Sequence, residues 1–211
     1  MTTILTYGDS NTWGMAPLLR PGRPERLAPD LRWPGVLAAR AAGARIVEEG
    51  LNGRTTCLDD PVDGALLNGL THLPVALASH APIDLVIIGL GTNDLKHRFS
   101  MLPGDICGGI RNLVATVARS EAGPGGRAPA ILVLAPPALG PMSLLAETFQ
   151  GGAEKSRALG PAVAAMGQGQ GLDVIEVGRI VEIVEGDGVH LDAAQHRALG
   201  EAVAGHCAHL L

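Results

Sequence analysis

Aromatic side chains are nearly missing from this chain, which has 2 Trp, 1 Tyr and 2 Phe in 211 residues. A core of stacked rings is therefore excluded, and Leu, Val, Ile and Ala must fill the interior. Cysteine is equally sparse. Cys57, Cys107 and Cys207 are odd in number and lack a C-x-x-C spacing, which argues against a disulfide framework or a thiolate metal site. Small buried thiols are expected instead. No apolar run approaches the roughly 18 residues that a membrane-crossing helix needs. The opening stretch Thr2–Tyr7 has neither a basic start nor a long apolar segment, so a cytoplasmic protein is expected. Positive charge is also short, with 16 Lys and Arg against 21 Asp and Glu. The resulting charge of -5 disfavours nucleic acid or an anionic membrane as the main partner.

What is present suits a globular enzyme-sized chain. Hydrophobic residues make up 46% and mean hydropathy is +0.24, which excludes disorder. The length fits one domain over residues 1–211, large enough to bury an apolar core without disulfides or metals. Five short apolar segments read as strands: 4–7, 45–48, 84–89, 130–134 and 173–177. Asp84–Gly89 and Ala130–Leu134 are continuous runs rather than alternating ones, as in a parallel sheet covered on both faces. Helices are expected over about 33–43, 64–80, 103–119, 153–169 and 192–210. In the last of these Asp192 is placed as N-cap, and Leu199, Val203 and Leu210 fall on one stripe. This alternation implies a three-layer α/β/α sandwich around a five-stranded parallel sheet. Residues 121–127, rich in glycine, read as an exposed loop.

Two connections are unusually long. Residues 11–31 carry Pro17, Pro21, Pro24 and Pro29, and residues 135–152 carry Pro136, Pro137 and Pro141. Loops of that length in a compact domain tend to be functional. In open parallel sheets the ligand crevice lies beyond the carboxyl ends of the strands, where both loops begin.

Four polar motifs fall at the same ends. Gly8-Asp9-Ser10-Asn11 follows the first strand, and its serine can present a hydroxyl to the crevice from a tight turn. Asp187-Gly188-Val189-His190 precedes the last helix. Its histidine can take a proton from Ser10, while Asp187 orients the other ring nitrogen. After the central strand, Gly91-Thr92-Asn93-Asp94 can aim the Asn93 amide at a developing oxyanion, and Gly53 after the second strand can offer a backbone N–H. Each motif alone is an ordinary turn or cap. Together they supply a nucleophile, an acid–base pair and oxyanion donors, the inventory of acyl transfer. The other histidines, His72, His80, His97, His196, His206 and His209, are expected to pack or lie on the surface.

In these blocks the sequence resembles the SGNH hydrolases, also called the GDSL esterase/lipase family, over essentially its whole length. The resemblance implies the flavodoxin-like SGNH fold, Ser10, Asp187 and His190 as catalytic residues, and an oxyanion hole from Ser10, Gly53 and Asn93. It is nearer to a bacterial arylesterase and acyltransferase branch through Tyr7–Gly14, Ala28–Trp33, Glu48–Thr56, Gly91–Lys96 and Ala135–Pro141. Asn52-Gly53 stands where mycobacterial members have Ser-Ala, so the implied activity is hydrolysis of small aryl or short-chain esters, acetyl esters included. Acyl transfer to alcohols carries over less well. Asp9, Asn11, Trp13, Asn52, Thr92, Lys96, Phe99 and Val189 are candidates for the substrate pocket. The branch also implies a homo-oligomer, such as an octamer, no metal and no cofactor. Two other readings stay open at this point, a metal-dependent phosphoesterase and a catalytically inactive α/β binding module.

Overall fold

The computed structural model describes residues 1–41 and 43–210. Five strands form one parallel sheet: β1 (Thr3–Gly8), β2 (Arg45–Gly50), β3 (Leu85–Gly89), β4 (Ala130–Ala135) and β5 (Asp173–Glu176). Their spatial order is β2-β1-β3-β4-β5, the doubly wound order expected of a flavodoxin-like sheet. All five expected strands are present within two residues of their sequence bounds.

Side chains alternate across the sheet and divide the core in two. Leu5, Tyr7, Val86, Ile88 and Val133 face α3 (Gly69–His80), α4 (Pro103–Ala118) and α5 (Gly152–Gln170). Ile4, Leu85, Ile87, Leu132 and Leu134 face α2 (Trp33–Arg40) and α6 (Ala193–Cys207). A strand buried on both faces has no polar face to show, which is why β3 and β4 read as unbroken apolar runs. The sandwich therefore has three layers, as expected.

Several boundaries differ from the sequence reading. The helix expected from 64 starts at Gly69, because the Asn68 side chain accepts from the Leu70 and Thr71 amides and caps it. Leu67 is held outside the helix, its carbonyl accepting from Thr55 N–H at 2.9 Å. The helix expected over 33–43 ends at Arg40, and Ala42 lies outside the described residues. The last helix ends at Cys207, with 208–210 in a turn. Its Asp192 cap is as expected, the carboxylate accepting from Gln195 N–H at 2.9 Å. The glycine-rich loop is not wholly exposed, since Ala122 is buried and its carbonyl accepts from Ile83 N–H.

One α-helix was not expected. Ser10–Trp13 form a single helical turn, α1, directly on the end of β1. The sheet register explains how it fits. Gly8 pairs with Gly50 of β2 and with Gly89 of β3, so three glycines stand level at the carboxyl ends of adjacent strands. A Cβ on Gly8 would lie 2.0 Å from Thr12 Oγ1, and one on Gly50 would lie 2.2 Å from Trp13 N. Glycine is needed there for close approach of α1, not for a left-handed turn. That level edge sets the Ser10, Gly53 and Asn93 motifs side by side.

Candidate active site

Ser10 opens α1, with Asp9 as its N-cap accepting from Asn11 N–H at 2.9 Å. The Ser10 side chain meets a ring from the other end of the chain. His190 Nε2 lies 3.0 Å from Ser10 Oγ, and its Nδ1 lies 3.0 and 3.1 Å from the two Asp187 oxygens. Ser10, His190 and Asp187 are 5%, 5% and 1% exposed. A hydrogen-bonded chain in so dry a setting can move a proton from hydroxyl to imidazole, provided the carboxylate stays ionised.

Asp187 meets that condition. Burial would raise its pKa, but the His190 hydrogen bond and charge, with amide donors from His190 and Leu18, outweigh it and bring the value to about 2. Oδ1 accepts from Val189 N–H at 2.8 Å and from His190 N–H, and Oδ2 accepts from Leu18 N–H at 2.5 Å. Both long loops take part in holding this segment. The 11–31 loop supplies Leu18, while the 135–152 loop pairs with residues 186–188 through Gly140 N–H to Gly188 O and Gly186 N–H to Pro141 O, both 2.9 Å. Asn11 closes the third side, donating to Val189 O at 3.1 Å and accepting from Leu191 N–H at 3.2 Å.

The oxyanion candidates form one connected unit. Leu51 N–H donates to Gly8 O and Arg54 N–H to Leu51 O, a turn in which Gly53 takes φ +82°. Among the described residues neither the Ser10 nor the Gly53 amide has a protein acceptor. Asn93 Nδ2 donates to Arg54 O at 3.1 Å, which orients the side chain and leaves its second N–H free. The next residue, Asp94, accepts from both the amide and the hydroxyl of Thr56. Residues 93–94 therefore grip residues 54–56 at two points.

The pocket candidates separate. Val189 and Asn11 adjoin the triad loop, as described. Asp9 and Thr92 line, with Asn11, Trp33 and Leu199, a cavity of about 30 Å³, enough for one water and too small for a substrate. Burial raises Asp9 to about 6 despite the Asn11 amide donor, and it likewise raises Asp94 to about 6 despite the Thr56 bonds. Trp13 packs under the long loop. The Arg26 guanidinium sits 4.9 Å over its ring and Arg26 Nε donates to its carbonyl at 2.7 Å.

Lys96 is not offered to a ligand: its ammonium, 3% exposed as a residue, binds Asp60 at 2.9 Å and Asp63 at 2.7 Å. Phe99 is half-buried beneath Arg98, 5.9 Å from its ring centre. Asn52 is half-buried with an unpartnered Oδ1. Three contributors escaped the sequence reading. Leu18 acts through its backbone, which leaves no side-chain signal, whereas Arg54 and Asp94 lay within quoted blocks without a reason to single them out.

Among the described residues no group of three His, Cys, Asp or Glu side chains is arranged to hold a metal ion. No helix among them is long and apolar enough to cross a membrane.

Comparison with known proteins shows which family the chain belongs to. No curated protein sequence matches the chain. Solved structures do. An aryl esterase from M. smegmatis is 41% identical with a TM-score of 0.95, and all of each chain is covered. A carbohydrate acetylesterase from Sinorhizobium meliloti is 42% identical with a TM-score of 0.95, again over 100% of both chains. A carbohydrate acetylesterase family member from the same organism is 35% identical, with a TM-score of 0.92, over 100% of this chain and 99% of that one. The family model of the GDSL-like lipases and acylhydrolases matches residues 6–198. The chain belongs to the GDSL-like lipase/acylhydrolase family.

Proposed function

We propose that this protein is a serine esterase that hydrolyses small carboxylic esters, aryl or short-chain acyl, with acetyl esters among them. The observation that carries the reading is the Ser10–His190–Asp187 chain, with 3.0 Å at each link. His190 takes the Ser10 proton as Oγ attacks the ester carbonyl. The imidazolium then gives that proton to the leaving alcohol or phenol, and Asp187 stabilises it between the two steps. The Ser10 and Gly53 amides and the free Asn93 N–H stabilise the tetrahedral oxyanion. Water, deprotonated by His190, releases the carboxylic acid. An alcohol in place of water would give a new ester by the same step.

The names of the relatives, aryl esterase and carbohydrate acetylesterase, support a small acyl group with a varied leaving group. The test is turnover of p-nitrophenyl acetate by the wild type and by Ser10→Ala. Near-complete loss in the variant is expected, and wild-type-like activity would refute the assignment. The reading includes a homo-oligomer. Apart from Met1 and Val75, the exposed large apolar side chains of the described residues, Leu19, Val62, Leu66, Leu102 and Leu144, lie on connections that leave the carboxyl ends of strands, where a neighbouring copy would cover them. A monomeric mass in solution would remove that part.

A further inference from the structure

The mechanism above leaves several buried cations unused, and one of them adjoins the proposed oxyanion hole. Arg54 follows Gly53 and is 5% exposed. Its side chain does not reach solvent but turns back to the ends of β1 and β2. Nη1 donates to Gly8 O at 3.0 Å and to Glu49 O, and the guanidinium lies 4.2 Å over the Tyr7 ring. The nearest carboxylate, on Glu49, is 4.0 Å from Nη2 and also lies 3.0 Å from His80 Nε2. Nε is buried without a partner. A guanidinium held this way keeps its charge, because its ordinary pKa lies far above neutrality, and Glu49 is the carboxylate that pairs with it.

What the side chain touches decides what it can do. Gly8 stands two residues before the Ser10 amide. Arg54's own peptide joins it to Gly53, and its carbonyl is the acceptor that orients Asn93 at 3.1 Å. One residue thus contacts the supports of all three oxyanion donors. We propose that Arg54 is the positioning residue of the oxyanion hole, its side chain fastening the Gly53–Arg54 peptide and the Asn93 amide to the strand end that carries Ser10. Its charge adds a fixed positive field beside the place where the oxyanion forms, in a dry site where such fields act strongly. The inference rests on the esterase reading above, but it assigns a role to a residue that touches neither substrate nor nucleophile.

A bridge that only tied β1 to β2 would affect stability and leave the transition state alone. The test therefore measures Arg54→Met and Arg54→Lys with p-nitrophenyl acetate and a short-chain trifluoromethyl ketone. Such a ketone adds the serine hydroxyl to give a tetrahedral oxyanion and so reports transition-state binding. For Arg54→Met, kcat is expected to fall about ten- to a hundredfold, less than for loss of a donor itself. KM should hold within about threefold, and ketone affinity should weaken in step with kcat/KM. Arg54→Lys keeps the charge without the two-point grip and should lie between Met and wild type.

A kcat within about threefold of wild type in Arg54→Met, or a lowered kcat with unchanged ketone affinity, would overturn the proposal. If Arg54→Met fails to fold, Arg54→Lys decides: kcat and ketone affinity both equal to wild type would overturn the proposal, and a parallel fall in the two would support it. Ser10→Ala run alongside separates the two levels. Turnover surviving in that variant would remove the esterase reading and this inference with it, whereas turnover lost there but insensitive at Arg54 would remove the inference alone.

Discussion

The backbone amide of Leu18 donates to Asp187 Oδ2 at 2.5 Å across 169 residues of sequence. It makes the long proline-bearing loop after β1 part of the triad's support. Leu18→Pro removes that donor and nothing else from the carboxylate, while Leu18→Ala keeps it and shortens a half-buried side chain. A hydrogen bond to a charged group is worth about 1.5 kcal/mol or more, so Leu18→Pro should lower kcat about tenfold with KM little changed. Leu18→Ala should stay near wild type. Equal effects of the two substitutions on p-nitrophenyl acetate turnover would mean that the loop acts through packing.

Asn93→Ala removes the one side-chain donor of the proposed oxyanion hole. The expected loss is about 10²–10³ in kcat, with substrate binding largely kept. A loss of tenfold or less would place Asn93 outside that role and leave its bond to Arg54 O as a structural feature.

Lys96 separates a pocket role from a structural one. Lys96→Met would leave the Asp60 carboxylate, which is 0% exposed, with Arg98 Nε at 3.6 Å as its remaining cation. Breaking a buried pair from one side costs roughly 3–5 kcal/mol, and Arg98 offsets part of that, so a measurable but smaller fall in the urea midpoint is expected. Adding Asp60→Asn should recover much of it, and KM for p-nitrophenyl acetate should change little in the double variant. A raised KM at unchanged stability would return Lys96 to the substrate pocket.

His196 sets a pH dependence of stability. It is 0% exposed, with Nδ1 accepting from Trp33 N–H at 3.3 Å and Nε2 without a partner. Burial lowers its pKa from 6.5 to about 4. Between those values the unfolded chain binds a proton that the folded chain does not, so this group costs stability as pH falls from 6.5 to 4. Asp187, lowered to about 2 from 3.8, adds a loss only below 3.8. Asp9 and Asp94, raised to about 6, act with the opposite sign, favouring the folded state as pH drops from 6 towards 3.8.

The wild-type curve therefore mixes signs, and the useful quantity is its difference from His196→Asn, which can still accept from Trp33. Wild-type stability relative to the variant should decline by up to about 3 kcal/mol from pH 6.5 to 4. A constant difference in urea midpoints over that range would show that His196 does not titrate in this way.

The sheet was legible because β3 and β4 are apolar on both faces, and strands of that kind have few other readings. The four motifs were legible as a set because each follows a strand or precedes the last helix. α1 was not, since a turn of four residues carries no periodicity, and its support by Gly8 and Gly50 depends on a register that only the folded sheet fixes. Trp13 and Lys96 show a different limit. Nearness in sequence to Ser10 or Asn93 made both pocket candidates, but side-chain direction depends on partners far along the chain, Arg26 for one and Asp60 and Asp63 for the other. Leu18 lies beyond any residue-type signal, because what it contributes is an amide that every residue but proline has.

The most direct test of the central claim is to trap the acyl group. The protein is quenched in acid during turnover of p-nitrophenyl acetate, digested, and its peptides are weighed. An acetyl group is expected on Ser10, absent from Ser10→Ala, and slower to clear in a variant lacking His190. Turnover in the wild type with no acyl group at Ser10, or with acetyl on another residue that persists in Ser10→Ala, would contradict it.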